Sequence, residues 1–280
     1  FGMGFNIATA RLGQKTEITT YRKNDAFKSK VTIDFRELES SSKFNVPIEK
    51  IKKSEDETNK QGTEIRISRL TWEHIKPLRQ KAKISKKIGR TYGKIIRDNN
   101  IKLVYEDLTC RPFNHCTWNK LRKGRNGTPA VIDIDHIIDE KRYCTSCWTW
   151  LVNTDRTCPS CNETTNLTKR ERRVKGWIGL QRFLDQEEFG FDLIRNGRVI
   201  RERDKSLFYW ITDDEEKEIE YPIDGFDKMG RFIGELEIDF VQVTHQKDAF
   251  ETNSNDWKDV IRVVRGDGPI RPDIGRRHGF

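Results

Sequence analysis

The sequence predicts an α+β protein made of two modest compact units and one small insertion, and three observations carry that prediction. Several segments alternate apolar and polar residues, as in 62–69 (GTEIRISR), where Ile65 and Ile67 alternate against Glu64, Arg66 and Ser68. Residues 72–98 instead repeat apolar side chains at helical spacing, with Ile84, Ile88, Tyr92 and Ile95 forming one stripe. Residues 110–170 shift in character, with one short alternation at 130–138, and hold cysteines among loop residues such as Gly124, Asn126, Gly127 and Pro129.

In chain order, 5–12 (FNIATARL) reads as a short helix entered from a glycine loop, and strands are expected near 15–22 and 30–38. Residues 39–60 are polar and charged with little periodicity, the composition of a mobile excursion or short linker. The strand at 62–69 and the helix at 72–98 come next; the second face of that helix carries Lys83, Lys87, Arg90, Lys94 and Arg97. A strand at 101–105 precedes the insertion, inside which 130–138 alternates briefly. Sheet signals return at 174–183 and 191–201, where Asn196-Gly197 between alternating arms predicts a type I′ hairpin, since both central residues must take positive φ. Residues 232–243 read as a strand and 256–264 as a helix with Asn255 or Asp256 as its N-cap.

At 280 residues the chain is long enough to bury a core without disulfides. It is 34% hydrophobic and 35% charged, and no apolar run approaches the roughly eighteen residues of a membrane span. A soluble, cytoplasmic protein with no membrane partner is expected. The opening Phe1-Gly2-Met3-Gly4 has neither a start methionine nor a leader, which suggests a piece of something longer. A net charge of +9 favours association with polyanions such as nucleic acid, through the basic helix and the cysteine insertion.

Cys144-x-x-Cys147, ten residues, then Cys158-x-x-Cys161 brings four thiolates within reach of one ion, and this spacing predicts a structural zinc ribbon. A closed four-sulfur site leaves no position for substrate. Cys110 and Cys116 flank Asn114-His115 and read as buried or free thiols in preference to a second site with His115 or His136. Asp133-x-Asp135-His136 resembles the Asp-His element of HNH nucleases, but lies before both cysteine pairs, whereas that family has it between them.

Several remaining motifs occur in a telling order. Phe1-Gly2-Met3-Gly4-Phe5, with Arg11-Leu12-Gly13 behind it, resembles the second glycine box of the GHKL ATPases, the superfamily of DNA gyrase B subunits, heat-shock chaperones, mismatch-repair proteins and sensor histidine kinases. Gln61-Gly62-Thr63 resembles the Gly-Thr box of the same pocket, and Ile88–Lys94 and Arg195–Arg198 look like parts of members with a transducer domain. Val243–Phe250 (VTHQKDAF) resembles the transducer loop that lends a lysine to the nucleotide.

The resemblance implies a partial Bergerat-type ATP-binding sandwich in 1–70 and an α+β transducer in 71–109 and 171–255. A zinc ribbon is inserted at 110–170, and a helix and tail occupy 256–280. It implies that Gly2, Gly4 and Phe5 bind phosphates, that Gly62 and Thr63 support the adenine side, and that catalytic Lys247 reaches the terminal phosphate, with Gln246 sharing that role or orienting the loop. ATP, Mg2+ and Zn2+ are the implied cofactors, with ATP-dependent homodimerisation. The family's catalytic glutamate, magnesium-binding asparagine and adenine-reading aspartate precede its second glycine box, so this chain lacks them and is expected to be inactive alone, while its longer parent hydrolyses ATP. The alternative is a zinc-ribbon module that binds nucleic acid with no nucleotide dependence.

Overall fold

The structure, a computed structural model, describes all residues except 1–2, 42–44, 71, 153, 213, 222–229 and 245, together with the side chain of Met3. It has a mixed α/β architecture and divides into two compact units, 1–84 and 85–280.

The first unit opens with helix α1 (Met3–Leu12), which runs directly into β1 (Gly13–Tyr21); β2 (Phe27–Asp34), α2 (Phe35–Ser41), β3 (Glu49–Lys52) and β4 (Gly62–Leu70) follow. The strands form one antiparallel sheet in the order β3-β2-β1-β4. Alternation separates its faces: Ile18, Val31 and Ile65 are in register on one side, whereas Glu17, Lys30 and Arg66 point the other way, with Lys30 bonded to Glu17 at 2.7 Å. The second strand stops at Asp34, four residues short of expectation, because the Asp34 carboxylate accepts the Arg36 backbone N–H and starts α2. The expected linker also holds more structure than its composition announced. β3 pairs with β2, and a 3-10 turn over Glu55–Glu57 carries a carboxylate that Lys28 grips at 2.7 Å.

The helical stretch divides into α3 (Trp72–Leu78), α4 (Lys81–Thr91) and α5 (Gly93–Asn99) instead of one helix. Pro77, lacking an N–H, sits one residue before the end of α3, and Tyr92 leaves helical geometry (φ −111, ψ 14) before Gly93.

In the second unit, β5 (Val104–Tyr105) and β6 (Leu108–Thr109) form a small ladder. The main sheet contains β7 (Val131–Cys144), β8 (Trp150–Leu151), β9 (Leu167–Leu180), β10 (Gly190–Arg195), β11 (Arg198–Asp204) and, beyond the small hairpin β12 (Tyr209–Ile211) and β13 (Lys217–Ile219), β14 (Phe232–Glu237). The order is β11-β10-β14-β9-β7-β8, with β10 and β14 parallel. The Asn196-Gly197 hairpin forms as expected, with φ of 49° and 75°. Gly176 (φ +151) lets β9 lie against β14, since a Cβ there would sit 1.9 Å from the Glu235 carbonyl oxygen. β14 ends at Glu237 and not at 243: the chain turns at Ile238–Val241, and Asp239 accepts the Asn196 N–H at 2.7 Å. Leu193, Leu236, Ile238, Phe240 and Val241 form the core with Trp257 and Val260 of α6 (Asn255–Arg265), whose N-cap is Ser254, accepting from the Trp257 N–H. A last helix, α7 (Pro272–Arg277), follows.

The cations of α4 and α5 are mostly spent inside this unit. Lys87 bonds Glu202, Arg90 bonds Glu188 and Asp192, Lys94 bonds Asp98 and Glu237, and Arg97 bonds Glu235. Apart from the exposed Lys83, the stripe that reads in the sequence as a solvated basic face packs on carboxylates, most of them from β10, β11 and β14. Arg90 is buried, and its partner Asp192 also has His115 Nε2 at 3.3 Å. Burial opposes ionisation of Asp192, but His115 and the Arg90 guanidinium outweigh it and hold the carboxyl below its ordinary range.

Candidate metal centre

The cysteine segment is the far end of a hairpin arm and not a separate appendage. β7 and β9 pair along nearly their whole length, from Val131↔Gly179 to Cys144↔Leu167, so the sheet itself supports the knuckles. Two turns then repeat the same geometry. Cys144 N–H donates to Thr149 O and Trp148 N–H to Cys144 O; Cys158 N–H donates to Glu163 O and Asn162 N–H to Cys158 O. The residue after each second cysteine, Trp148 at φ 67° and Asn162 at φ 58°, takes the left-handed conformation that closes each turn. Asparagine adopts this region readily, and tryptophan only at a cost.

The four sulfur atoms lie within 4.8 Å of one another, with Cys144 and Cys161 at 3.6 Å and Cys147 and Cys158 at 3.3 Å. Tetrahedral zinc with Zn–S bonds of about 2.3 Å requires sulfurs about 3.8 Å apart, so the cluster is close to the size of a four-cysteine zinc site. It is the one cluster of metal-binding side chains among the described residues. Cys144 and Cys158 are fully buried, packed with Leu151 and Leu167. The Thr149 hydroxyl, 3.2 Å from Cys147 Sγ, and the neighbouring sulfurs pull the Cys147 thiol down to about 6. The Glu163 N–H favours the Cys161 thiolate, but hydrogen bonding with Cys147, burial and the other sulfurs outweigh it and push that thiol up to about 12. Four sulfurs this close resist holding several negative charges unless a cation joins them.

Glu163, absent from the sequence reading, clamps the second knuckle. Its carboxylate accepts from the Thr165 hydroxyl at 2.7 Å, the Thr164 and Thr165 N–H groups at 2.9 Å and the Asn166 side chain at 3.0 Å, which pull its pKa down to about 2. Arg172, also unforeseen, ties the arm to α6. Its buried guanidinium bonds Asp139 bidentately at 2.7 Å and reaches Asp256 and Asp259 at 2.8 Å. Arg172 does not stand out in sequence because its partners are remote, and Glu163 because an acidic residue beside threonines and an asparagine is an ordinary loop composition.

Cys110 is buried and Cys116 exposed, both free, and neither joins a metal-binding cluster. Asp133 and Asp135 are occupied by Lys120 and Arg173. The expected nucleotide residues are distributed over both units. Gly2 lies outside the described residues. Gly4 and Phe5 belong to the first turns of α1, where Gly4 is exposed and a Cβ would meet nothing within 4 Å. Gly62 (φ +121) begins β4, and the exposed Thr63 lies across from Thr20, their hydroxyls 3.2 Å apart. In the other unit Gln246 and Lys247 are exposed on a turn between the bridged Val243 and Phe250; Lys247 has φ 56° and donates its N–H to Thr244 O at 2.8 Å. Lys247 makes no ion pair among the described residues. No described helix is long and apolar enough to cross a membrane. Comparison of the sequence with protein-family models and with curated proteins finds no match.

Proposed function

We propose that the chain is the phosphate-side part of an ATP-driven conformational switch of the GHKL type, with a zinc-filled structural ribbon on the arm of its second unit. The observation that carries this reading is the order of the motifs: a glycine box opening a helix, then Gly62-Thr63 at the head of a strand, then the Gln246-Lys247 turn after the last strand of the second sheet. The first unit's sheet lends support. Its apolar face includes Phe27, Ile18, Val31 and Ile65, of which Ile65 is 50% exposed, as one layer of a sandwich would be when its cover is missing. The exposed α1 start at Gly4 suits an anion, because first-turn N–H groups have no partners within the helix.

In this reading Gly2, Gly4 and Phe5 bring backbone amides to the phosphates, Gly62 and Thr63 serve the adenine side, and Lys247, steadied by Gln246, meets the terminal phosphate. Mg2+ and the attacking water fall to the family motifs that this chain does not contain, and ATP closes a homodimer. Zinc, held by Cys144, Cys147, Cys158 and Cys161, supplies rigidity and no chemistry.

Lys247→Ala in the longer parent tests the reading. Loss of one charge-assisted contact at a developing charge is worth roughly 2.7–4 kcal/mol, so hydrolysis should slow about a hundredfold or more. ADP affinity should hold, because ADP lacks the phosphate concerned. Hydrolysis at the normal rate, or a parallel loss of ADP affinity, refutes the role.

A further inference from the structure

The geometry points to a single-stranded nucleic-acid site on the second unit, formed by an unbroken row of alternating guanidinium groups and aromatic rings. The Arg122 guanidinium lies 3.9 Å over the Trp118 ring; that of Arg182 lies 5.9 Å from the same ring and 5.3 Å from Phe183. The row stands on an ordered scaffold. Trp118 N–H donates to Leu180 O and Arg182 N–H to Cys116 O, which pins the segment to the end of β9; Ala130 N–H to Arg122 O and Gly124 N–H to Thr128 O close a hairpin beside it. Arg122, Lys123, Arg125 and Arg182 are all exposed, and none has an ion-pair partner among the described residues. The nearby Asp133 is already taken by Lys120 at 2.6 Å. On α4 and α5, by contrast, Lys87, Arg90, Lys94 and Arg97 are satisfied by carboxylates, which moves the polyanion-binding surface away from the helix stripe.

The chemistry of the row selects its ligand. Four unpaired cations attract a polyphosphate backbone, consistent with the net charge of +9. Phe183 is 69% exposed, a large ring kept in water unless something flat covers it. The Arg122 guanidinium, held against Trp118, presents its other face already oriented, and bases stack on guanidinium planes as well as on rings. Only unpaired bases expose such faces, so a single strand fits and a duplex does not.

Fluorescence anisotropy of the 280-residue chain with dye-labelled oligothymidylate and oligouridylate of about 16 nucleotides, and with the matching duplex, tests the site. The single strands should bind more tightly than the duplex, with log K falling against log salt at a slope of about −3 for four phosphate contacts. Replacing Arg122, Lys123, Arg125 and Arg182 by Ala should abolish that salt dependence. Phe183→Ala should weaken binding roughly fivefold or more at unchanged slope, which a purely electrostatic surface would not do. Lys50→Ala with Lys52→Ala, exposed on the other unit, should change nothing. Absence of binding, preference for the duplex, an unaffected quadruple variant, or an unaffected Phe183→Ala each overturns the proposal; in the last case an acidic protein becomes the better occupant. Should the quadruple variant misfold by circular dichroism, Arg125→Ala and Phe183→Ala still decide the question.

Discussion

Replacing Arg172 by Met should destabilise the second unit and reverse its response to acid. The guanidinium is buried against Phe240 and serves three carboxylates: Asp139 through two bonds of 2.7 Å, and Asp256 and Asp259 at 2.8 Å. Lys141 lies 3.8 Å from Asp139, and Arg262, 2.9 Å from Asp259, is shared with Asp267 at 2.6 Å, so no cation in the cluster is left over to replace Arg172 and its loss leaves one more uncompensated negative charge. Removing one member of a buried ion cluster costs about 3–5 kcal/mol. The carboxylates keep partial access to water, with side-chain exposures of 37%, 22% and 20%, which places the expected loss near about 3 kcal/mol. For a unit of roughly 200 residues that lowers Tm by about 6–12 °C.

In the native protein the Arg172 hydrogen bonds hold the Asp139 carboxyl below its ordinary range. Its contribution is therefore present above the unfolded value of about 3.9 and is lost as pH falls through the lower folded value. In the variant, three carboxylates converge without Arg172, their folded pKa values rise, and protonation relieves the repulsion. Scanning calorimetry from pH 7 to pH 4 should then find native stability nearly flat and the variant regaining part of its deficit. A Tm loss under about 3 °C, or a variant that weakens on acidification, would refute the reasoning.

Purified protein should contain about one zinc per chain by elemental analysis, and Cys158→Ser should release it, because structural sites couple metal binding to folding; a metal-free chain with intact knuckles would contradict the site. Trp148→Gly should raise the Tm of the zinc-loaded protein, since the left-handed backbone costs a bulky residue about 1–2 kcal/mol that glycine escapes; an unchanged or lower Tm would mean that the exposed indole contributes packing that offsets the strain.

Local chemistry made part of this protein legible from its sequence. The paired Cys-x-x-Cys spacing, the Asn196-Gly197 hairpin and the alternation of β4 each depend on a few neighbouring residues, and each stands in the structure. The ends of elements were less legible: the stop of β2 at Asp34, the division of 72–98 into three helices and the stop of β14 at Glu237 are set by side-chain contacts or by small breaks within a continuing apolar pattern. Partnership was not legible at all. Lys87, Arg90, Lys94 and Arg97 look like a solvated stripe until the fold brings Glu202, Asp192, Glu237 and Glu235 against them, across about a hundred or more positions of sequence. The same holds for Arg172 and for the row from Arg122 to Phe183, whose members come from segments that meet only in the tertiary fold. Sequence by itself determined which groups could ligate a metal or carry charge; tertiary structure alone decided which charges are neutralised within the protein and which remain for a partner, because Coulomb and stacking forces act over a few ångströms of space whatever the distance along the chain.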